Sequence, residues 1–549
     1  MDQAKGEDLL RRMLGESSSF RNGQWEAIEA AAVLKQRVLV VQRTGWGKSI
    51  VYFIATKILR DRGSGPALLI SPLLALMRNQ IGAARNLGLR AITIHSENVD
   101  EWDQAKAAIT RDECDILLIS PERLANTDFR REVITAFRNG VGLFVVDEAH
   151  CISDWGHDFR PDYRRIVRIL ERLPSTVPVL CTTATANNRV VEDIVAQIPH
   201  LQVQRGPLTR VSLKLYNIRL SDQAERLAWL SHFIPALPGS GIVYCLTIAD
   251  TARVASWLQS KGIDAFEYHS EIDPAQRVEL ERRLLENHCK VLVATVALGM
   301  GFDKPDLGFV IHFQRPGSVI AYYQQVGRAG RAVDDAYGIL LNGREDDEIQ
   351  DYFIRSAFPS SDAMEQVLSI LDRTSSASVS ELMDQLNFRR GLIEKCLKLL
   401  EVDEAVVKEG TKYFRTPNPW NASSLNSKAV TENRLYELDQ IRHYVNHEGC
   451  LMEFLARALD DPSPKACGKC MNCLNRSSRH EVPETIVKEA SEFLKQSAIE
   501  LRPRKQWPSA VLAQLNDVMS QAIGRRADGH LKVSIPALVQ IEYGRALSM

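Results

Sequence analysis

Residues 143–163 read LFVVDEAHCISDWGHDFRPDY, and the fold follows from the first eight of them. Four consecutive apolar residues, Leu143 to Val146, suit a strand buried on both faces, the kind found in parallel sheets. The strand delivers Asp147 and Glu148 together at its end. Two adjacent acids there are costly unless a cation meets them. Mg²⁺ carrying nucleotide phosphates fits, since it takes one or two carboxylates and fills its other positions with phosphate oxygens and water.

About a hundred residues upstream, an apolar run at 38–41 leads into QRTGWGKS at 42–49 and then into a helical pattern. Thr44, Gly45 and Gly47 belong to a loop whose backbone amides curl around phosphate oxygens at a helix N-terminus. Lys48 then reaches the β and γ phosphates, and Ser49 binds Mg²⁺. Gln42 stands where the consensus P-loop has its first glycine. A plain glycine turn is the competing reading, and the paired acids downstream weigh against it.

Strand-like runs recur at 38–42, 67–71, 91–95, 116–120, 143–146 and 179–182, with helix-length segments between them. The theme repeats at 241–245, 265–269, 291–294 and 309–313. This predicts an α/β chain with two stacked parallel-sheet domains, 1–208 and 209–344, joined near 205–210. Beyond 343 the pattern stops. Residues 378–386 and 391–400 read as helices around a turn, and 406–408 with 412–415 read as a hairpin or wing. We therefore expect a winged-helix-like domain over 345–420. DNA binding and a helical spacer are equal readings of it. Residues 481–549 are expected to form a helical C-terminal segment.

Composition sets the limits. The 549 residues are 45% hydrophobic and 25% charged, an ordinary globular balance for several domains. A net charge of −1 excludes a global basic field, so any nucleic-acid contact is local to a groove. The polar start is unlike a signal peptide, and the longest apolar stretch, 67–77, is short and broken by Ser71-Pro72. A cytoplasmic protein with no membrane partner is expected. Of ten cysteines, six are scattered and read as reduced, mostly core thiols. Cys450, Cys467, Cys470 and Cys473 cluster at C-x16-C-x2-C-x2-C, spacing that suits a closed, structural tetrahedral zinc site.

Three further pieces fit an ATP-driven nucleic-acid motor. Gln24 lies one helix before the P-loop strand, and its amide can pair with both hydrogen-bonding edges of adenine. Thr183-Ala184-Thr185 closes another strand and is placed to couple the nucleotide site to a neighbouring groove. Arg328 and Arg331 lie three apart in QQVGRAGR at 324–331, placed to reach transition-state charge across a cleft. Each has a plain alternative: a solvated glutamine, an idle strand end, a salt-bridged surface helix.

Together, FRNGQ at 20–24, TGWGKS at 44–49, SPLLALMRNQ at 71–80, DEAH at 147–150, TAT at 183–185, VATVALGMGFDKPD at 293–306 and QQVGRAGR resemble the superfamily 2 helicases. The loop HCISDWGHDFRP at 150–161 narrows this to the RecQ family of ATP-dependent DNA helicases. The resemblance implies two RecA-like P-loop domains closing on ATP and a 3′→5′ translocase on single-stranded DNA, acting in repair or recombination. It assigns Gln24 to adenine, Lys48 and Ser49 to phosphate and Mg²⁺, Asp147 and Glu148 to metal and attacking water, and Arg328 and Arg331 to the γ-phosphate. Trp155, His157, Phe159 and Arg160 would sense DNA, since aromatic faces stack on unpaired bases. The cysteines resemble that family's helical four-cysteine zinc-binding subdomain, here 421–480. The implied partners of such a monomer are single-stranded and tailed or forked duplex DNA, with ATP, Mg²⁺ and Zn²⁺ as cofactors; protein partners are not indicated. In that family the zinc subdomain usually follows the second motor domain directly, so a winged helix ahead of it is a departure. An ATP-switched DNA-remodelling or annealing protein, and an RNA helicase, are the alternatives.

Overall fold

Continuous apolar runs build two parallel sheets. In this computed structural model the described residues are 3–71, 81–82, 84–94, 102–125, 140–153, 163–298, 302–343, 345–355, 359–421, 427–476, 482–496, 523–525 and 531–533. The first sheet comprises β1 (Arg37–Val41), β2 (Ala67–Ile70), β3 (Ala91–Ile94), β4 (Ile116–Ile119), β5 (Leu143–Asp147), β6 (Val179–Thr183) and β7 (Leu201–Arg205). Their order is β3-β4-β2-β5-β6-β1-β7, every pairing parallel. β1, β2, β4, β5 and β6 are buried at every position, as strands covered by helices on both faces must be.

The second sheet holds β8 (Leu213–Arg219), β9 (Gly241–Tyr244), β10 (Ala265–Tyr268), β11 (Val291–Ala294), β12 (Phe309–His312) and β13 (Ala336–Asn342), ordered β10-β11-β9-β12-β13-β8 and again parallel. The two sheets are the expected tandem RecA-like domains. β7, β8 and β13 were not anticipated. β7 is an edge strand with Gln202 and Val203 exposed, so it lacks a continuous apolar run. In β13, Gly338 interrupts the run because a Cβ there would meet Leu215 Cδ2 at 2.8 Å.

Two compact units emerge, Met1–Ile354 with Lys428–Leu494, and Arg355–Ser427 with Lys495–Met549. The first unites both sheets and the cysteine-bearing segment. Helices Ser427–Val445 and Leu451–Ala458 pack on the second sheet's core. Met471 N–H donates to Leu215 O at 2.9 Å, tying the cysteine loop to the edge strand β8. Helix Asp346–Arg355 also belongs here, because the buried Asp346 pairs with Arg226 at 2.9 Å.

The second unit contains helices Ser361–Thr374, Val379–Gln385 and Arg390–Val402, with β14 (Ser376–Ser378), β15 (Val406–Glu409) and β16 (Lys412–Arg415) in an antiparallel sheet ordered β14-β16-β15. Ser378 and Glu381 form a reciprocal capping box that starts the middle helix. Leu382, Ile393, Leu397, Leu400 and Val406 form its core. Among the described residues, no helix is long and apolar enough to cross a membrane.

One ion cluster stabilises the first sheet's far end. Asp115, just before β4, accepts from Arg60 Nε at 2.8 Å and Arg90 Nε at 2.9 Å. Burial alone pushes its carboxyl up, but the bonds from Arg90 and Arg60 win and bring it from 3.8 down to about 2. A depressed carboxylate stabilises the fold above its unfolded pKa and ceases to do so as pH falls through its folded value. Asp115→Asn should therefore cost about 1–2 kcal/mol at neutral pH, the modest end because the group is partly solvent-screened. Urea titrations should show that difference shrinking between about pH 4 and pH 2.

Candidate nucleotide site and cysteine cluster

In a parallel sheet every strand points its carboxyl end to one edge, and ligand sites form there. β1 and β5 lie on either side of β6. The P-loop after β1 and the acids ending β5 therefore flank the Thr182-Thr183 end of β6. Thr182 Oγ1 donates to Asp147 Oδ1 at 2.7 Å, and the Glu148 amide donates to the same oxygen at 3.0 Å. Tyr163 O–H donates to Asp147 O at 3.2 Å. Glu148 sits at φ 51°, a left-handed conformation uncommon for a residue with a side chain, at the turn off the strand. His150, fully buried, lies 3.2 Å from Glu148 Oε2 and 3.1 Å from Thr183 Oγ1. The TAT segment thus reaches the second acid through a histidine.

Gly45 and Gly47 take φ 74° and 97°, conformations glycine adopts without strain. Helix Lys48–Asp61 starts directly after them, with Ser49 in its first turn. Lys48 Nζ donates to Gln42 O at 3.2 Å. Burial lowers the Lys48 pKa, opposed by Glu148 and Asp147. Burial and Glu148 raise Asp147 to about 6. A buried acid whose charge is disfavoured, beside a second acid and a threonine, is a donor set that Mg²⁺ fits. Gln42, at the anomalous P-loop position, is accommodated by Gly206, where a Cβ would lie 2.2 Å from its Nε2.

Gln24 is buried against this loop. Its Nε2 donates to Trp46 O at 2.8 Å, and its Oε1 accepts from Arg21 N at 2.8 Å. Trp46 Nε1 in turn donates to Asn22 O at 3.1 Å. Gln24 thus braces the 21–24 turn against the phosphate loop.

Arg328 and Arg331 come from the second sheet's side. Arg328 Nη1 donates to Phe302 O at 3.2 Å, and Arg331 pairs with Asp303 at 2.8 Å. Arg331 Cγ lies 3.4 Å from where a Cβ on Gly45 would stand, so its chain runs along the P-loop. Burial lowers the Arg331 pKa, with Asp303 opposing. Arg331 acts electrostatically on Lys48 and is acted on by Glu148 and Arg328, so the arginine turn of the second sheet lies beside the lysine and acids of the first. Trp155, His157, Phe159 and Arg160 lie outside the described residues.

Arg210 was not singled out from the sequence, where it stands alone in the joining segment. It is 1% exposed and bonds to the P-loop and the arginine turn at once. Tyr163 was likewise missed; a tyrosine at the end of a polar loop carries no signal of the strand end it contacts.

The four cysteine sulphurs all lie within 4.8 Å of one another. Cys450 Sγ is 3.5 Å from Cys467 Sγ and 4.0 Å from Cys470 Sγ. Tetrahedral zinc, with Zn–S near 2.3 Å, requires sulphurs about 3.8 Å apart. Backbone amides of Cys467, Leu451 and Lys469 point at the sulphurs at 3.2–3.4 Å, as they do toward thiolates. The sulphur set fits a closed structural metal site.

Comparison with known proteins agrees with this geometry. Residues 21–194 match the DEAD/DEAH box helicase family and 225–333 the helicase conserved C-terminal domain. The structure of Mss116p bound to ssRNA and AMP-PNP shares the fold at a TM-score of 0.54 and 17% identity, covering 74% of this chain and 89% of that one. The fold and site thus define a superfamily 2 helicase motor. The ATP-dependent DNA helicase RecQ of Pasteurella multocida is 35% identical over 338 residues, covering 61% of this chain and 51% of that protein. The probable ATP-dependent DNA helicase RecS of Bacillus subtilis is 30% identical over 372 residues, covering 67% and 73%. The chain belongs to the RecQ family. It spans about half the length of some curated relatives it matches.

Proposed function

We propose that this protein is a DNA-dependent ATPase that translocates 3′→5′ on single-stranded DNA and unwinds tailed or forked duplexes in repair or recombination. The observation that carries the reading is the meeting of Arg331 with the P-loop glycine Gly45, beside Lys48 and the Asp147–Glu148 pair. Such a cleft surrounds a triphosphate with cations from two bodies that can open and close.

Lys48 and Ser49 would hold phosphate and Mg²⁺ with Asp147, and Mg²⁺ would neutralise phosphate charge. Glu148 would polarise the water that attacks the γ-phosphorus. Arg328 and Arg331 would stabilise the charge shifting onto the leaving diphosphate. Gln24 would face the adenine on the loop it braces. Trp155, His157, Phe159 and Arg160, directly following the acids in sequence, would report bound DNA to Glu148. The cysteine cluster would hold one structural Zn²⁺. The Arg355–Ser427 unit reads as a winged-helix-like accessory domain: helix, strand, two helices, hairpin.

Lys48→Ala should lower DNA-stimulated ATP turnover by roughly 10²-fold or more, and displacement of a 3′-tailed strand should vanish with it. Retained turnover would refute the motor assignment; intact turnover with no displaced strand in the unaltered protein would favour a remodeller. Greater stimulation by RNA than by a matched DNA strand would reassign the substrate. Trp155→Ala should abolish DNA stimulation while nucleotide binding, followed by a fluorescent ATP analogue, stays nearly unchanged.

Metal analysis of the purified protein should give about one zinc per chain. Cys470→Ser or exhaustive chelation should lower the melting temperature. A metal-free protein with an unaltered melting temperature would exclude the zinc site.

A further inference from the structure

The segment joining the two sheets is more than a tether. Between β7 and β8, Arg210 points its guanidinium into the seam between the P-loop and the arginine turn. Nη1 donates to Thr44 O at 3.1 Å, Thr44 Oγ1 at 2.7 Å and Gly327 O at 2.8 Å. Nη2 donates to Ala329 O at 2.8 Å and Gly330 O at 3.0 Å. Thr44 Oγ1 itself donates to Gly327 O at 3.0 Å.

Among the described residues, every hydrogen-bond partner of this buried cation is a neutral oxygen. Burial lowers its pKa to about 10, and Arg43, Arg331 and Arg21 nearby push the same way. A guanidinium kept there without a carboxylate is costly, and what it gains is geometry: its planar fork fixes several acceptors at once. Those acceptors are the backbone on either side of Arg328 and the P-loop residue before Gly45. Space around the turn is tight, since a Cβ on Gly327 would lie 2.3 Å from Thr44 Oγ1.

The arginine's own backbone is held as well. Leu208 N–H donates to Asp461 Oδ2 at 2.5 Å, and Leu208 O accepts from Tyr323 O–H at 2.5 Å. Ser212 Oγ donates to Gly330 O at 2.6 Å. The segment is thereby anchored to the cysteine-bearing region on one side and to helix Val319–Val326 on the other.

We infer that Arg210 is a positioning residue for ATP hydrolysis, holding the turn 327–330 against Thr44 so that Arg328 and Arg331 are registered on the P-loop. It does not touch the nucleotide; it acts through the arginines. The inference rests on the proposed ATPase reading. Misplacing a catalytic group by about 1 Å costs on the order of 10²-fold, so Arg210→Ala should lower kcat for DNA-stimulated hydrolysis about that much. KM and the affinity for a fluorescent ATP analogue should move less than about threefold, since Lys48 and the loop amides remain.

A double-mutant cycle with Arg331→Ala separates this role from a structural one. If Arg210 acts through Arg331, the double variant should turn over no more slowly than Arg331→Ala alone. Arg210→Lys keeps the charge but loses the fork; it should fold with a near-normal melting temperature and still show the kcat defect. The inference is overturned by any of three results: kcat of Arg210→Lys near the unaltered value, a rise in KM without loss of kcat, or multiplicative losses in the double variant. Lys48→Ala, run alongside, reports separately on the ATPase reading: if it too keeps full turnover, that reading fails rather than the role of Arg210.

Discussion

Charge buried at the carboxyl edge of a parallel sheet is the constraint on which this structure depends. Asp147, Glu148 and Lys48 all sit where β5 and β1 end, and burial works against the charged form of Asp147 and of Lys48 alike. Their mutual attraction, the Thr182 hydroxyl and the Glu148 amide offset only part of that cost. The donor set fits a polyanion with a divalent cation, the lysine suiting the one and the acids the other.

The second sheet answers the same constraint from across a cleft. Its arginine turn brings further cations toward the loop, so positive charge from both sheets converges on one seam. Arg210 extends this logic. Among the described residues, a third guanidinium in the same seam bonds to backbone and hydroxyl oxygens rather than to a carboxylate. The fork of Arg210 adds direction to a gathering of charge that would otherwise have no fixed geometry.

What was legible beforehand follows from how local each signal is. Buried strands announce themselves as apolar runs, so β1, β5, β6, β9 and β12 were readable, and with them the placement of the P-loop and the acid pair. Thiol spacing is equally local, and the four cysteines come together as their spacing requires. β7 and β8 mix polar with apolar residues along their length and escaped notice for that reason. Gln24 shows a different limit. Its sequence position placed it one helix before the P-loop strand, but its contact with Trp46 O depends on a residue distant in sequence. Arg210 was out of reach altogether: nothing in RGPLTR distinguishes a surface arginine from one buried in a seam.

The joining segment also explains why the cysteine-bearing region belongs to the motor rather than hanging from it. Asp461, in the loop after helix Leu451–Ala458, accepts from Leu208, two residues before Arg210. Asp460 accepts from Asn188 N at 2.7 Å, and its carbonyl accepts from Arg205 at 3.0 Å. One short loop thus grips both the first sheet's last helix and the segment leading to the second. The cysteine-bearing segment is tied to β8 as well, through the Met471 amide and Leu215 O. Asp461 holds one end of the segment whose other end carries Arg210 to the P-loop and the arginine turn.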